Sequence, residues 1–178
     1  VIPIDCEGTG QDGDIRAGAP LDYTDTGLTI IDNNTQLEWM KQDDNNLGCG
    51  SYPGNLDKDC QFNWDDAFTF VANLNANNHA GYADWRVPNV KELQGILNYE
   101  NIRPVPPVSG EFNTGCVRGC TVDACSCTAA YLYWSSTFYV NLPGAAWFVP
   151  FDNNNVGSIG GPMSQPCAVR AIRGGLID

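Results

Sequence analysis

The stretch Asp84–Leu93 (DWRVPNVKEL) carries the clearest helix start in the chain. Pro88 is followed by Asn89, a residue type that caps helix N-termini, and Glu92 stands at the third helical position. This spacing is a variant of the capping box, in which the two side chains accept each other's backbone N–H groups. The stretch therefore predicts a helix that begins after Asn89. The apolar residues expected to face the core are Leu93, Ile96 and Leu97.

A second helix is predicted upstream of that stretch. Asn63 is its candidate N-cap, and Asp65 and Asp66 fall in the first turn, where the helix dipole favours negative charge. Apolar residues then recur at intervals of three and four, which is typical of a helix with one buried face. They are Trp64, Ala67, Phe68, Val71, Ala72 and Leu74.

Short strands are predicted on both sides of these helices. Residues 29–31 and 37–40 form a candidate hairpin across Asp32-Asn33-Asn34, residue types that tolerate positive φ. The candidate strands of the C-terminal half are Leu132–Thr137, Ala145–Phe151 and Cys167–Arg173. With 16 Asp, 18 Asn and 19 Gly, which favour turns, the pattern predicts a loop-rich α+β domain.

The chain is strongly acidic, and the excess is uneven. Its 178 residues carry a net charge of −12, of which −11 falls on residues 1–66. Nine basic residues are too few to neutralise phosphates, which argues against nucleic acid or an anionic membrane surface as a partner. No apolar run approaches the ~20 residues of a membrane span. Because residues 1–10 lack a basic, apolar leader, they are expected to be a mature end that has lost its signal peptide.

Eight cysteines in an acidic, loop-rich chain favour disulfides and an oxidising, extracellular compartment. Cys49 and Cys60 could close the loop between them, whereas Cys125 and Cys127 are expected to have different partners. The spacing Cys116-x3-Cys120-x4-Cys125-x-Cys127 also admits a structural zinc site, although it fits no usual paired knuckle. The eight disulfide candidates are Cys6, Cys49, Cys60, Cys116, Cys120, Cys125, Cys127 and Cys167.

A series of motifs in fixed order resembles one bacterial family. The motifs are TIIDNNTQLEW (29–39), NWDDA (63–67), GYADWRVPNVKELQ (81–94), YWSST (133–137), AWFVPF (146–151) and VRAIRGG (169–175). The chain resembles the Lcl C-terminal domain family, named after a collagen-like adhesin, from about Tyr23 to Gly175. The block Asp84–Leu93 is the most specific element of the resemblance.

The resemblance implies a C-type-lectin-like fold: two helices, a small twisted antiparallel sheet and long loops, here disulfide-bonded. It also implies export and a surface role in adhesion or ligand binding. We expect residues 1–22 to form an extended N-terminal arm and residues 23–178 to form a single lectin-like domain. The calcium-dependent sugar motifs of C-type lectins are not matched, since Val87-Pro88-Asn89 lacks a carboxylate and stands at a helix start.

Catalytic chemistry has little support in the sequence. His79 stands in an Asn/Ala/Gly turn without an evident partner, and we expect it to be exposed to solvent. Ser135 and Ser136 are expected to satisfy hydrogen bonds at a strand end. The chain is therefore predicted not to be an enzyme.

Calcium is the cofactor that the composition favours, because hard cations take oxygens from Asp, Asn and backbone carbonyls. The candidate ligands lie in the acidic loop and in the turn between two C-terminal strands. They are Asp43, Asp44, Asp57, Asp59, Asp152 and Asn154. The same residue types also form turns without any metal, and both interpretations stay open.

Aromatic residues suggest a sugar-binding surface. Most of the five tryptophans are expected in the core, and the better stacking candidates are Tyr52, Tyr131 and Tyr139. Arg86, Arg170 and Arg173 are expected to pair internally with Asp84, Glu92 or Glu100. The sequence thus predicts a secreted, non-enzymatic bacterial surface domain that binds a glycan or a surface protein. The alternative is a structural subunit that self-associates or packs on another protein in an extracellular filament or coat.

Overall fold

The computed structural model describes residues 7–10, 14, 18–42, 62–99, 106–117, 119–152 and 157–175. Two α-helices occur among them, α1 (Trp64–Ala76) and α2 (Val90–Gly95). The strands are β1 (Tyr23–Asp25), β2 (Thr29–Asp32), β3 (Leu37–Met40), β4 (Leu132–Phe138), β5 (Ala145–Pro150), β6 (Ile159–Pro162) and β7 (Ile172–Gly174). None of the described helices is long and apolar enough to cross a membrane.

The strands form two small antiparallel sheets rather than the single sheet expected. One has the order β1-β2-β3-β7 and the other β4-β5-β6. The predicted β2–β3 hairpin is confirmed, with Ile30 opposite Trp39. The last strand is shorter than predicted, because Cys167 forms only an isolated bridge with Phe62 and regular pairing begins at Ile172.

The β2–β3 turn differs from the prediction in its conformation. Asp32 Oδ1 accepts hydrogen bonds from the N–H groups of Asn34 and Thr35, at 2.9 and 3.3 Å. The positive φ of the turn, 59°, falls on Gln36 and not on the Asn residues. The Asp and Asn side chains stabilise the turn by hydrogen bonds, so they do not need the left-handed conformation.

Helix α1 begins as predicted, but its buried face is shifted. Asn63 Oδ1 accepts a hydrogen bond from the N–H of Asp66 at 2.9 Å. The buried side chains are Ala67, Phe70, Val71 and Leu74. Phe68 and Ala72, which were expected in the core, are exposed. The buried face of α1 is thus narrower than predicted, and it includes Phe70.

Helix α2 shows the complete capping box. Asn89 Oδ1 accepts from the N–H groups of Lys91 and Glu92, and the N–H of Asn89 donates to Glu92 Oε2 at 2.7 Å. The helix is only six residues long, and Ile96 and Leu97 lie buried just beyond its end. A helix this short depends on its cap and on the core beneath it.

The β4-β5-β6 sheet stands between two halves of the core. Trp134 packs with α1 and Phe148, whereas its neighbour Tyr133 packs with Phe151 and Leu93 on the other side. Successive strand residues point to opposite faces, so one strand serves both halves. The sheet end that carries the β4–β5 turn extends beyond this core into solvent.

Candidate functional site

Four cysteines form two neighbouring disulfides in the loop before β4. Cys116 bonds to Cys127 and Cys120 bonds to Cys125, so Cys125 and Cys127 have different partners, as predicted. Cys6, Cys49 and Cys60 lie outside the described residues. Cys167 is a buried free thiol, which corrects the expectation that it joins a disulfide. Its side chain is part of the hydrophobic core beside α1.

The arginines divide between surface pairs and a buried position. Arg86 pairs with Glu92 at 2.6 Å, and Arg173 pairs with Asp84 at 2.7 Å, as predicted. The hydrogen bonds from Arg173 lower the pKa of Asp84. Arg173 also pairs with Glu38. Arg170 is 1% exposed and pairs with no carboxylate among the described residues, and of its predicted partners Glu100 lies outside them.

The calcium candidates fall almost entirely outside the described part of the chain. Asp43, Asp44, Asp57, Asp59 and Asn154 are not described, and Asp152 lies half-buried after β5. Among the described residues, a group of potential ligands close enough for a metal ion is formed by Cys116, Cys120 and Cys127. Calcium binding remains a prediction.

The residues considered for catalysis have structural partners. The Oγ of Ser135 donates to the carbonyl of Trp147 at 2.7 Å and accepts from the N–H of Thr137, so its hydrogen bonds are satisfied, but within β4, at the irregularity between Trp134 and Phe138, and not at a strand end as expected. His79 is half-buried, with its ring 5.7 Å from that of Trp85, and so is less exposed than expected.

Three of the five tryptophans are in the core, and the other two lie partly at the surface. Trp39, Trp85 and Trp134 are buried. Half-buried Trp64 packs against Phe68 and Phe138, and its indole N–H donates to Ser135 O at 2.9 Å. Half-buried Trp147 lies in β5.

Tyr139 and Trp147 form an aromatic platform on the other face of the sheet. Their ring centroids are 4.8 Å apart, in an edge-to-face arrangement. Trp147 is opposite Gly160 of β6, and a Cβ on Gly160 would lie 2.4 Å from Tyr139 Cδ1. The Tyr139 ring therefore rests directly on the β6 backbone, a position that only glycine permits.

Both polar atoms of the platform are available. Within the described residues, neither the Tyr139 hydroxyl nor the Trp147 indole N–H hydrogen-bonds to the protein. Both side chains are half-buried, so water or a ligand can reach them. The platform can thus offer two ring surfaces, one donor and one hydroxyl to a ligand.

The turn between β4 and β5 adds an apolar tip beside the platform. Phe138, Val140 and Leu142 are 58%, 86% and 50% exposed. The tip is well ordered by backbone bonds: the N–H of Tyr139 donates to Ala145 O, and that of Met163 donates to Gly144 O, both at 3.0 Å. Such exposed apolar side chains are typical of interaction surfaces.

The sequence identified Tyr139 but missed Trp147. Of the other stacking candidates, Tyr131 is half-buried against the core and Tyr52 is not described. Trp147 was expected in the core because it lies in an apolar strand. The signal for its exposure is the strand alternation, since Ala146 and Phe148 occupy the core face.

The fold and its disulfides define a small α+β domain of a kind suited to an oxidising, extracellular location. The chain belongs to the Lcl C-terminal domain family, whose model matches residues 28–173. This membership points to a bacterial surface-associated domain. A comparison with curated proteins finds no significant match.

Proposed function

We propose that this protein is an exported, non-enzymatic surface domain that binds a glycan at the Tyr139–Trp147 platform. The observation that carries the proposal is a pair of partly exposed rings whose hydroxyl and indole N–H have no protein partner within the described residues. Aromatic faces stack on the C–H faces of sugars, while such polar groups hydrogen-bond sugar hydroxyls.

The surroundings of the platform favour a neutral ligand. The turn 139–144 that borders it carries no charged residue, and β6 (Ile159–Pro162) carries none either. A charged ligand needs a complementary ion pair for specificity, whereas a neutral sugar needs apolar contact and a few hydrogen bonds. The Tyr139 ring packs directly on Gly160. Because this contact already restricts the ring, binding a ligand would cost less conformational entropy.

A glycan array followed by calorimetry tests this function, each with and without calcium. Wild-type protein is expected to bind a subset of neutral glycans, and Tyr139→Ala is expected to weaken that binding by about tenfold or more, through lost stacking. Tyr99→Ala is the matched control, since Tyr99 is also exposed but lies elsewhere. Failure to bind any glycan in either condition would remove the proposal.

The second candidate function is self-association through the apolar tip. Val140 is 86% exposed and stands between two further exposed apolar side chains, Phe138 and Leu142. Burying such residues against another copy would remove apolar surface from water. This role fits a subunit of an extracellular filament or coat.

Light scattering at rising protein concentration tests self-association. Wild-type protein is expected to form oligomers, and Val140→Asp is expected to shift it to monomer. Val117→Asp is the matched control, because Val117 is 67% exposed outside the tip. A protein that stays monomeric at high concentration would contradict this role.

A further inference from the structure

The two disulfides of the loop before β4 bring four sulfur atoms into one cluster. Besides the bonded pairs Cys116–Cys127 and Cys120–Cys125, Cys120 Sγ lies 3.8 Å from Cys127 Sγ. Cys125 Sγ lies 4.0 Å from Cys127 Sγ. The sulfurs of Cys116, Cys120 and Cys127 are all within 4.8 Å of one another. We call these four residues the sulfur cluster.

The sulfurs of Cys116, Cys120 and Cys127 have spacings close to those of a tetrahedral thiolate site, and Cys125, bonded to Cys120, is the sulfur that must move to become the fourth ligand. Zn–S bonds of about 2.3 Å place neighbouring sulfurs of a regular tetrahedron about 3.8 Å apart. Of the two contacts between different disulfides, that of Cys120 with Cys127 has this length, and that of Cys125 with Cys127 is 4.0 Å.

Backbone contacts that do not involve sulfur hold the loop in place. The N–H of Cys127 donates to Gln42 O at 2.7 Å, and the N–H of Ser126 donates to Thr114 O at 2.9 Å. Thr128 Oγ1 donates to the carbonyl of Phe112 at 2.6 Å. Residues 126–128 of the loop are therefore tied to Gln42, just after β3, and to residues 112–114 independently of the disulfides, which keeps the Cys127 end of the loop in place after reduction.

A buried cation next to the cluster is an independent sign that an anionic centre fits here. The Arg170 guanidinium donates to the carbonyl of Cys127 and to Thr128 Oγ1, and its Nε has no hydrogen-bond partner in the described part of the chain. Its partners within the described residues are all neutral. A buried charge is costly when no opposite charge compensates it.

We propose that the sulfur cluster is a redox-gated zinc site. In an oxidising medium its two disulfides exclude the metal. A dithiol or phosphine reductant supplies two electrons to each disulfide, and each pair of sulfurs takes up two protons. Zn²⁺ then displaces four protons from the four thiols and forms a tetrathiolate centre of charge −2. That charge would compensate Arg170, which contacts the cluster through the backbone carbonyl of Cys127.

The location suits reversible loading. Cys116 is exposed and Cys127 is buried, so the cluster has an open edge for metal entry and a shielded interior. Cys167, the free thiol, belongs to the core beside α1 and not to this cluster. The site is also separate from the aromatic platform, so its test does not depend on sugar binding.

Cobalt titration of the whole chain tests the proposal, because Co²⁺ bound by thiolates absorbs visibly. The variant with Cys6, Cys49 and Cys60 replaced by Ser retains the sulfur cluster and is reduced with a phosphine. We expect a single equivalent of Co²⁺ to give tetrahedral thiolate bands, which Zn²⁺ then displaces. The same variant with its disulfides intact is expected to give no such bands.

Two further variants assign the ligands. Adding Cys120→Ser to this background is expected to weaken Co²⁺ binding at least about tenfold, since loss of even an outer-shell partner costs that much. Adding Cys167→Ala is the matched control and should leave binding unchanged. Circular dichroism monitors the fold throughout. The proposal is overturned if the reduced chain binds no Co²⁺, if it unfolds and metal does not restore it, or if Cys120→Ser binds as well as its parent.

Discussion

Gly160 determines how the aromatic platform is built at the level of single residues. It has ordinary backbone angles, so its role is to leave space for the Tyr139 ring, and its neighbour Gly161 does the same for Phe148 on the other face. The Gly160-Gly161 pair therefore marks where the ring of Tyr139, just after β4, and the ring of Phe148 in β5 pack against β6. A sequence search for aromatic sites would gain from noting such pairs.

Replacing Gly160 with Ala tests whether the Tyr139 ring packs directly on the β6 backbone. The added Cβ would clash with the Tyr139 ring, and we expect it to lower the free energy of unfolding by about 1–3 kcal/mol and to displace the ring. Urea unfolding and tryptophan fluorescence measure the two effects. Gly110→Ala is the control, since its Cβ meets nothing within 4 Å. Equal stability of the two variants would show that Tyr139 does not rest on β6.

Cys167 gives a second prediction at this scale. Burial raises the pKa of its thiol, so the reactive thiolate is scarce at neutral pH. We expect iodoacetamide to leave Cys167 unmodified in the native protein and to modify it after unfolding in guanidinium, as read by peptide mass spectrometry. Equal labelling in both states would place this thiol at the surface.

Among the elements, helix α2 shows how a local signal is reinforced by a distant one. Glu92 completes the capping box and also accepts two hydrogen bonds from Arg86. Burial of Glu92 disfavours its charged form, but the hydrogen bonds from Arg86 and the N–H of Asn89 outweigh this effect and lower its pKa. The capping signal was legible in the sequence, and the pairing with Arg86 was one of several possibilities.

The lowered pKa of Glu92 predicts a pH dependence of stability. The Arg86–Glu92 pair stabilises the fold fully above the ordinary Glu pKa of about 4.3, and this contribution is lost as pH falls through the lower folded value. Arg86→Met is therefore expected to be less stable than wild type at neutral pH, with the difference shrinking below about pH 4. Urea unfolding across pH measures it.

The exposed neighbour Lys91 supplies the control for that series. Lys91→Met removes a positive charge from the same helix without breaking the Glu92 hydrogen bonds. The difference in unfolding free energy between Lys91→Met and wild type should not shrink comparably at low pH. A difference between Arg86→Met and wild type that stays constant with pH would contradict the assigned role of the pair.

For the whole molecule, the acidic excess of residues 1–66 is the feature whose function is untested. The described acidic residues of the hairpin have structural uses: Asp25 pairs with Lys41 at 2.8 Å, and Asp32 stabilises the turn. The acidic residues of this region that lie outside the described residues are Asp5, Asp12 and those of the loop that carries the calcium candidates.

Replacing Asp43, Asp44, Asp57 and Asp59 together with Asn tests the calcium prediction. If these carboxylates bind calcium, the ion raises the melting temperature of the wild type, and the variant loses that response, because binding to the folded state stabilises it. Asp65→Asn and Asp123→Asn together form the control, since both residues lie outside that loop. An unchanged calcium response in the fourfold variant would show that these carboxylates do not bind calcium, and it would leave solubility as the role of their charge.

The sequence by itself determined the features that depend on near neighbours. Both helix caps, the β2–β3 hairpin and strands β4 and β5 follow from a few consecutive residues, and the ordered motifs indicated the family. Capping and turn energies act within one or two turns of chain, so local spacing is enough to predict them.

Only the tertiary structure decided which distant segments of the chain contact each other. It separated the strands into two sheets, left Cys167 as a core thiol, buried Arg170 among neutral groups and placed Trp147 beside Tyr139. These outcomes depend on close packing between segments far apart in sequence, where many arrangements satisfy the same hydrophobic pattern. The sulfur cluster has the same origin, because hydrogen bonds to Gln42 and to residues 112–114 hold residues 126–128 of its loop in place.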